Sequence, residues 1–261
     1  MREKFDSSWK EWFDYNLKNN CDLSKLFQIL KESGFDSNFI YHLLQINYSI
    51  PEAIHHKAII TKKAKQYASK LVEIFTIENF LLPYECKRVI DISKGYLQDS
   101  TISNRNEIDK RFRTSKSAHF QHFKEREHVD FANYIEEKIC HAVNIHRSFS
   151  ESSQIQYYQV NNEFKLHTDY FDPGTEEYEE CTRRQGQRTW TFMIYLNTVQ
   201  KGGATYFPHL QKRFYPKEGM AVLWNNLDSH GKENTHTLHA GEKIVKGEKS
   251  IITKWFREKC K

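Results

Sequence analysis

Cysteine is scarce and unmatched in this chain. The five residues Cys21, Cys86, Cys140, Cys181 and Cys260 are odd in number, widely scattered and form no C-x-x-C pair. Neither a disulfide framework nor a cysteine zinc site is supported, and a reducing, cytoplasmic compartment is expected. Long apolar runs are missing too. No segment approaches the roughly 18 apolar residues of a membrane span, and the opening MREKFDSSWKEWFDYN lacks the uninterrupted apolar stretch of a secretory leader. No membrane partner is expected, and no repeat or low-complexity tract appears. Neither sign of charge dominates: 39 Lys+Arg against 34 Asp+Glu leave +5, with bases spread along the chain and accompanied by acids. A nucleic-acid partner calls for a clustered basic stripe, which argues against one here.

Aromatic residues are abundant. They make up 14% of 261 residues (18 Phe, 14 Tyr, 5 Trp), far too many for a disordered polymer, so the chain folds around an aromatic core. Its length suits one sizeable domain plus an appendage. Residues 1–50 read as a small helical bundle. Trp9, Trp12, Phe13 and Leu17 recur at helical spacing, as do Leu23, Leu26, Phe27 and Leu30 before a stop at Gly34. Residues 51–74 read as a basic helical connector, and its function is not legible; a packing or docking appendage is the plain expectation for this region. From Phe75 onward a new domain, 75–261, begins with a strand, a helix opened by Pro83 and a second helix over 125–147. Beyond residue 150 come short apolar or alternating runs punctuated by Pro, Gly and Asn: SQIQYYQV, EFKLHTDY, TWTFMIYLN, ATYFP, GMAVLW, THTLHA and SIITKWF. They predict an antiparallel β sandwich or barrel.

Two His-x-Asp tripeptides occur among 13 histidines. His128 and Asp130 lie in a helical pattern, where residues two apart point to nearly opposite sides, so that pair reads as surface decoration. His167 and Asp169 follow an alternating run, and on an extended strand positions i and i+2 share a face, so this pair can chelate. A third ligand must come from another strand, with His230, His236 and His239 as candidates. His236 and His239 are three apart, so a strand leaves only one of them for the site; His239 is chosen, with Lys249 ten residues further on. Two histidines and one carboxylate leave open positions on an octahedral ion, the arrangement of non-haem Fe(II) oxygenases that admit a 2-oxo acid and O2. A nearby lysine would give the distal carboxylate of a dicarboxylic acid a charge-assisted bond worth roughly 1.5–3 kcal/mol.

From about Phe75 to Glu258 the sequence resembles the prolyl 4-hydroxylase branch of the 2-oxoglutarate and Fe(II)-dependent dioxygenases. The resemblance is carried by IQYYQV…LHTD, QRTWTFMIYLNTVQKGGATYFP, YPKEGMAVLWNN and LHAGEKIVKGEKSIITKWFRE. It implies an α+β protein: a double-stranded β-helix (jelly-roll, cupin-like) catalytic core with flanking helices. By the same resemblance His167, Asp169 and His239 match the iron ligands, and Lys249 matches the partner of the 2-oxoglutarate C5 carboxylate. Tyr158 and Tyr195 match tyrosines lining the co-substrate pocket. Arg113, Ser115, Glu151, Arg188 and Trp255 match substrate contacts, Trp255 sharing a strand face with Lys249.

The implied cofactors are Fe(II), 2-oxoglutarate and O2, with ascorbate as an accessory. The implied reaction is hydroxylation of proline in a peptide or protein, releasing succinate and CO2. Three departures bear on the substrate: Phe164 replaces a common tyrosine, Asn161 a usual glycine, and Ser250 a frequent tryptophan. Between Asp169 and Arg188 the polar stretch FDPGTEEYEECTRRQGQ reads as a mobile loop over the site mouth. A hydroxylase of a free amino acid or other small molecule, and a catalytically silent peptide-binding module, are the competing readings. A nucleic-acid demethylase of related fold fits less well, because that class usually places arginines where this chain has Lys249.

Overall fold

The computed structural model describes residues 2–19, 21, 23–36, 39–40, 43–44, 60–100 and 113–260. The chain divides into two compact units, Met1–Ile54 and His55–Lys261. In the first unit, α1 (Ser7–Lys18) starts where Asp6 accepts a hydrogen bond from the Trp9 N–H, an N-cap. After α2 (Leu23–Glu32), Gly34 takes a positive φ, so the stop expected there is found. Phe13, Leu30, Phe35 and Ile40 form the core of this unit.

The second unit opens with β1 (Lys65–Gln66) and β2 (Ile74–Ile77) and continues into α3 (Pro83–Ser93). Residues 51–59 of the expected connector lie outside the described residues, and its remaining part corrects the helical reading. Lys65 and Gln66 pair with Thr76 and Phe75, and Tyr67 packs on the core cluster, so strand pairing and burial override a basic, helix-compatible sequence. The sheet unit therefore includes residues ahead of Phe75. Pro83 occupies the first turn of α3, as expected, and Glu85 reaches back to accept from the Leu82 N–H.

β3 (Gln98–Asp99) and β4 (Lys116–His119) precede α4 (Arg126–Val143), which ends at Asn144 in the left-handed conformation. On α4 His128 pairs with Glu125, and Asp130 with Arg126, consistent with a surface role for that tripeptide. Next come β5 (Gln154–Tyr158), β6 (Phe164–His167), α5 (Glu176–Gln185), β7 (Arg188–Tyr195), β8 (Lys201–Gly202) and β9 (Thr205–Phe207). The last strands are β10 (Lys212–Phe214), β11 (Ala221–Asn225), β12 (His239–Gly241), β13 (Ile244–Lys246) and β14 (Lys249–Arg257). Asn161 in the β5–β6 turn has φ +69°, so an asparagine adopts the conformation that the usual glycine would supply.

Eight strands form one sheet in the order β1-β2-β11-β7-β14-β5-β4-β3, and a four-stranded sheet runs β10-β9-β12-β6. Tyr158, Met193, Tyr195, Phe207, Val222, Trp224 and Ile251 are among the side chains of the aromatic core that these sheets share. This is the double-stranded β-helix with flanking helices.

The polar stretch after Asp169 corrects another expectation, because residues 176–185 are helical. Thr175 caps α5 by accepting from the Tyr178 N–H; Glu176, Glu177 and Glu179 occupy its first turn, and Arg183 and Arg184 its last. Acids at the positive end and bases at the negative end of the helix dipole stabilise it without any buried apolar stripe. Gly186 closes it at φ +68°, where a Cβ would lie 2.3 Å from Glu258 Oε2.

Candidate active site

β6 and β12 are antiparallel neighbours, and His239 is the register partner of His167. Asp169 lies two residues beyond. One ligand atom from each of His167, Asp169 and His239 falls within 4.8 Å of the others, the one such cluster of three or more among the described residues. His236, the rejected alternative, sits on a 3-10 turn (235–237), bonded to Asn234 and packed against His209. His230 is exposed beside Asp228.

Both imidazoles are oriented by the same local device. His167 Nδ1 lies 2.7 Å from the Lys165 carbonyl oxygen and His239 Nδ1 lies 2.9 Å from that of Thr237. A carbonyl only accepts, so each Nδ1 carries the proton and each Nε2 presents its lone pair. Phe207 stacks on the His239 ring and Phe164 on the His167 ring, with centroids 5.2 Å and 3.6 Å apart. Asp169 Oδ2 accepts from Thr191 Oγ1 at 2.7 Å, and that hydroxyl accepts from Asn226 Nδ2 at 3.0 Å. Asp169 Oδ1 is the oxygen nearer His167 Nε2, at 3.8 Å.

Burial, then repulsion from His239, pushes the His167 pKa down, which keeps the ring neutral. Burial raises the Asp169 pKa, but His239, His167 and Arg188 outweigh it, so the carboxylate stays charged. Two oriented imidazoles and one oriented carboxylate fit a ferrous ion with open coordination positions.

These ligands line one cavity together with Tyr158, Lys249, Thr253 and Trp255. The cavity face of β14 carries Lys249, Ile251, Thr253 and Trp255, the period of two expected when Lys249 and Trp255 were placed on one face. Lys249 is 1% exposed; its Nζ donates to the Gly203 carbonyl at 3.0 Å and sits 4.5 Å above the Tyr158 ring. Gly203 has φ +73°, and a Cβ there would strike Ile244 Cδ1 at 2.5 Å. Among the described residues no carboxylate forms an ion pair with Lys249, and burial lowers its pKa to about 8. A deep cation without an anion fits a carboxylate-bearing co-substrate.

Tyr195 is displaced from its expected place. It is fully buried and does not line the cavity; its hydroxyl lies 2.7 Å from Thr205 Oγ1 and 2.9 Å from the Phe214 carbonyl oxygen. Thr205 does line the cavity, so Tyr195 supports the wall from behind.

Arg113 stands over the Phe164 ring and donates to Ser115 and Gln154. Glu151 and Arg188 form a bidentate pair, with bonds of 2.7 and 2.8 Å, and Arg257 donates to the same carboxylate at 2.8 Å. Arg188 lies between the rings of Trp255 and Phe171 and also donates to the Asp169 carbonyl. The charges expected to meet substrate are thus largely engaged with each other.

Four contributors escaped the sequence reading: Arg257, Thr191, Asn226 and Gln187. The Gln187 amide bonds both the N–H and the carbonyl of Phe171, pinning the segment that follows Asp169. A spacing argument from β7 could have nominated Thr191, which stands an odd number of residues from Arg188 and an even number from Met193; the other three had no local signal.

A jelly roll holding two histidines, one carboxylate and a buried unpaired lysine defines a non-haem iron oxygenase of the 2-oxo-acid-dependent type. The sequence model of the 2OG-Fe(II) oxygenase superfamily matches residues 153–257. Prolyl 4-hydroxylase 13 of Arabidopsis thaliana is 32% identical over 201 residues, covering 71% of this chain and 71% of that protein. Two solved structures share the fold. The 2OG complex of the viral collagen prolyl hydroxylase from Paramecium Bursaria Chlorella virus-1 has a TM-score of 0.51 at 24% identity, covering 70% of this chain and 95% of that one. A prolyl hydroxylase from Trichoplax adhaerens, in complex with a hypoxia inducible factor peptide fragment, gives 0.53 at 16%, covering 71% and 83%. The chain belongs to the prolyl 4-hydroxylase family of 2-oxoglutarate- and Fe(II)-dependent dioxygenases. It is an enzyme whose cofactors are Fe(II), 2-oxoglutarate and O2, with ascorbate as the family's usual accessory.

Proposed function

We propose that this enzyme hydroxylates a proline residue in a peptide or protein. His167, Asp169 and His239 hold the ferrous ion, Lys249 anchors the C5 carboxylate of 2-oxoglutarate, and Tyr158 forms the adjoining wall. Bound iron and 2-oxoglutarate supply the oxidising chemistry, in which O2 and the 2-oxo acid are turned into succinate, CO2 and one hydroxyl on the substrate. The chain's own contribution is positional. The Nδ1–H bonds fix the imidazoles, Thr191 fixes the carboxylate, Phe207 backs the His239 ring, and the aromatic walls formed by Phe164 and Trp224 exclude water.

The observation that carries this reading is Lys249: a buried cation with no carboxylate partner among the described residues, on the cavity that also holds the three ligands. On the substrate side, Arg113 and Ser115 flank one edge and Trp255 the other, with Trp255 held by the Glu151–Arg188 pair. The Trichoplax neighbour, solved in complex with a peptide fragment, and the prolyl 4-hydroxylase relatives support a peptidyl proline as the target. All the residues named here come from the His55–Lys261 unit. The N-terminal helical unit is a packing or docking appendage.

Incubation with Fe(II), ascorbate, 2-oxoglutarate and proline-containing peptides is expected to release succinate and to add one oxygen to proline, read by mass spectrometry. Succinate formation that is indifferent to iron or 2-oxoglutarate would overturn the reading. Turnover with free amino acids but with no peptide would overturn the substrate class alone.

A further inference from the structure

A continuous chain of hydrogen bonds runs from the cavity to Arg113. Gln154, Gln156 and Tyr158 occupy alternate positions of β5 and are all buried. Arg113 Nη2 donates to Gln154 Oε1 at 2.9 Å. Gln156 Nε2 donates to that same oxygen and to Thr253 Oγ1, both at 3.1 Å, and the Tyr158 hydroxyl lies 2.6 Å from Gln156 Oε1. At the far end the Tyr158 ring lies beneath Lys249 Nζ. Gln156, Tyr158 and Thr253 line the cavity, whereas Arg113 stands outside its lining over Phe164 and, with Ser115, also lies close enough to the Tyr158 hydroxyl to bear on it directly.

The direction of every bond is dictated from one end. A guanidinium carries donors only, so the Gln154 atom facing Arg113 is its oxygen. That oxygen accepts, so the Gln156 atom facing it is the amide nitrogen. The remaining Gln156 atom is a carbonyl oxygen, which can only accept. The Tyr158 hydroxyl must therefore give its single proton to Gln156 rather than to a carboxylate beside Lys249.

We propose that Gln156 is a positioning residue that couples the two sides of the active site, tying the Tyr158 proton to the state of Arg113. The proposal rests on the functional reading above. While Arg113 holds Gln154, the phenol proton is turned away from the co-substrate. When a peptide acceptor draws Arg113 off, the two amides are free to turn and the proton becomes available to the co-substrate. Peptide and 2-oxoglutarate then tighten each other's binding by the same factor, as linkage requires.

The test is a double-mutant cycle on the full-length protein loaded with Mn(II), titrated calorimetrically with 2-oxoglutarate. Arg113→Met is expected to tighten 2-oxoglutarate binding about three- to tenfold in the parent, and by a clearly smaller factor in a Gln156→Leu background, where only the direct Arg113–Tyr158 contact remains. Gln156→Glu keeps the shape and the bond from Tyr158 but cannot donate to Gln154 or Thr253, so it also uncouples the pair and serves if the leucine variant does not fold. Equal effects of Arg113→Met in both backgrounds, or no effect in the parent, would overturn the coupling while leaving the dioxygenase reading intact. Failure of the Mn(II)-loaded parent to bind 2-oxoglutarate at all would overturn that reading, and the coupling with it.

Discussion

β14 carries two buried lysines five residues apart, and the period of a strand sends them to opposite faces. Lys254, on the face away from the cavity, lies 3.2 Å from Glu136 Oε2, and its ammonium also donates to the Glu151 carbonyl. Arg147 and the Ser153 N–H complete the shell around Glu136. Lys249, on the cavity face, has one carbonyl, one aromatic ring and, among the described residues, no ion-paired carboxylate. The same residue type at the same depth is a structural cation where the fold supplies its anion, and a binding group where it does not. Burial lowers the Lys249 pKa from 10.5 to about 8, a cost of roughly 3 kcal/mol to the protonated form at neutral pH. That cost is tolerated at a site where an incoming carboxylate offsets it.

Replacing each lysine by methionine should separate the two roles. Lys254→Met leaves Glu136 buried with a diminished shell, and an expected loss of about 3 kcal/mol of unfolding free energy follows, measured by denaturant titration. Its 2-oxoglutarate affinity should stay within about threefold of the parent. Lys249→Met removes an uncompensated cation, so thermal stability should be unchanged or higher, while 2-oxoglutarate affinity falls about 10- to 100-fold, in line with a charge-assisted bond. A melting temperature that drops sharply for Lys249→Met, with co-substrate affinity intact, would erase the contrast.

The pH profile sharpens it further. Carboxylate binding favours protonated Lys249, whose pKa in the free protein is about 8. Affinity is therefore full below pH 8 and declines above it, by about tenfold per pH unit, and calorimetry between pH 6.5 and 9.5 reads this. An affinity that is flat across that window would mean the lysine does not carry the interaction. At the ligand end, Thr191→Val removes the hydroxyl that orients Asp169, with an expected loss of about tenfold in Fe(II) or Mn(II) affinity. The smallest effect belongs to α5. Thr175→Ala removes its N-cap and costs that helix about 1 kcal/mol, seen as faster amide exchange over residues 176–185 with little change in global unfolding.

The contrast between α5 and β14 also shows which parts of the fold were readable beforehand. β14 announces itself through alternation, and its cavity face from Lys249 to Trp255 follows from parity alone. α5 has no buried residue, so a reading based on apolar periodicity takes it for a loop. Its signals are the cap at Thr175, the acids of the first turn, the two arginines of the last turn and Gly186. Residues 65–66 mislead in the opposite sense, because their strand exists only through pairing with β2. Tyr195 shares the parity of Met193, a cavity residue, yet its depth along β7 sets it behind Thr205, and parity does not encode depth.

The chemistry of the site was determined by the sequence itself. His167-Thr-Asp169 on an extended segment converges for the same local reason in any strand, and the string of motifs through Lys249 specifies a jelly roll and a dicarboxylic acid. Only the tertiary structure decided how Thr191, Asn226, Gln187 and Arg257 hold the assembly, and that Lys254 meets Glu136 while Lys249 forms no ion pair among the described residues. Those outcomes depend on residues far apart in the chain meeting in a low-dielectric interior, where a partner's presence or absence changes a charge's role and no local pattern records it.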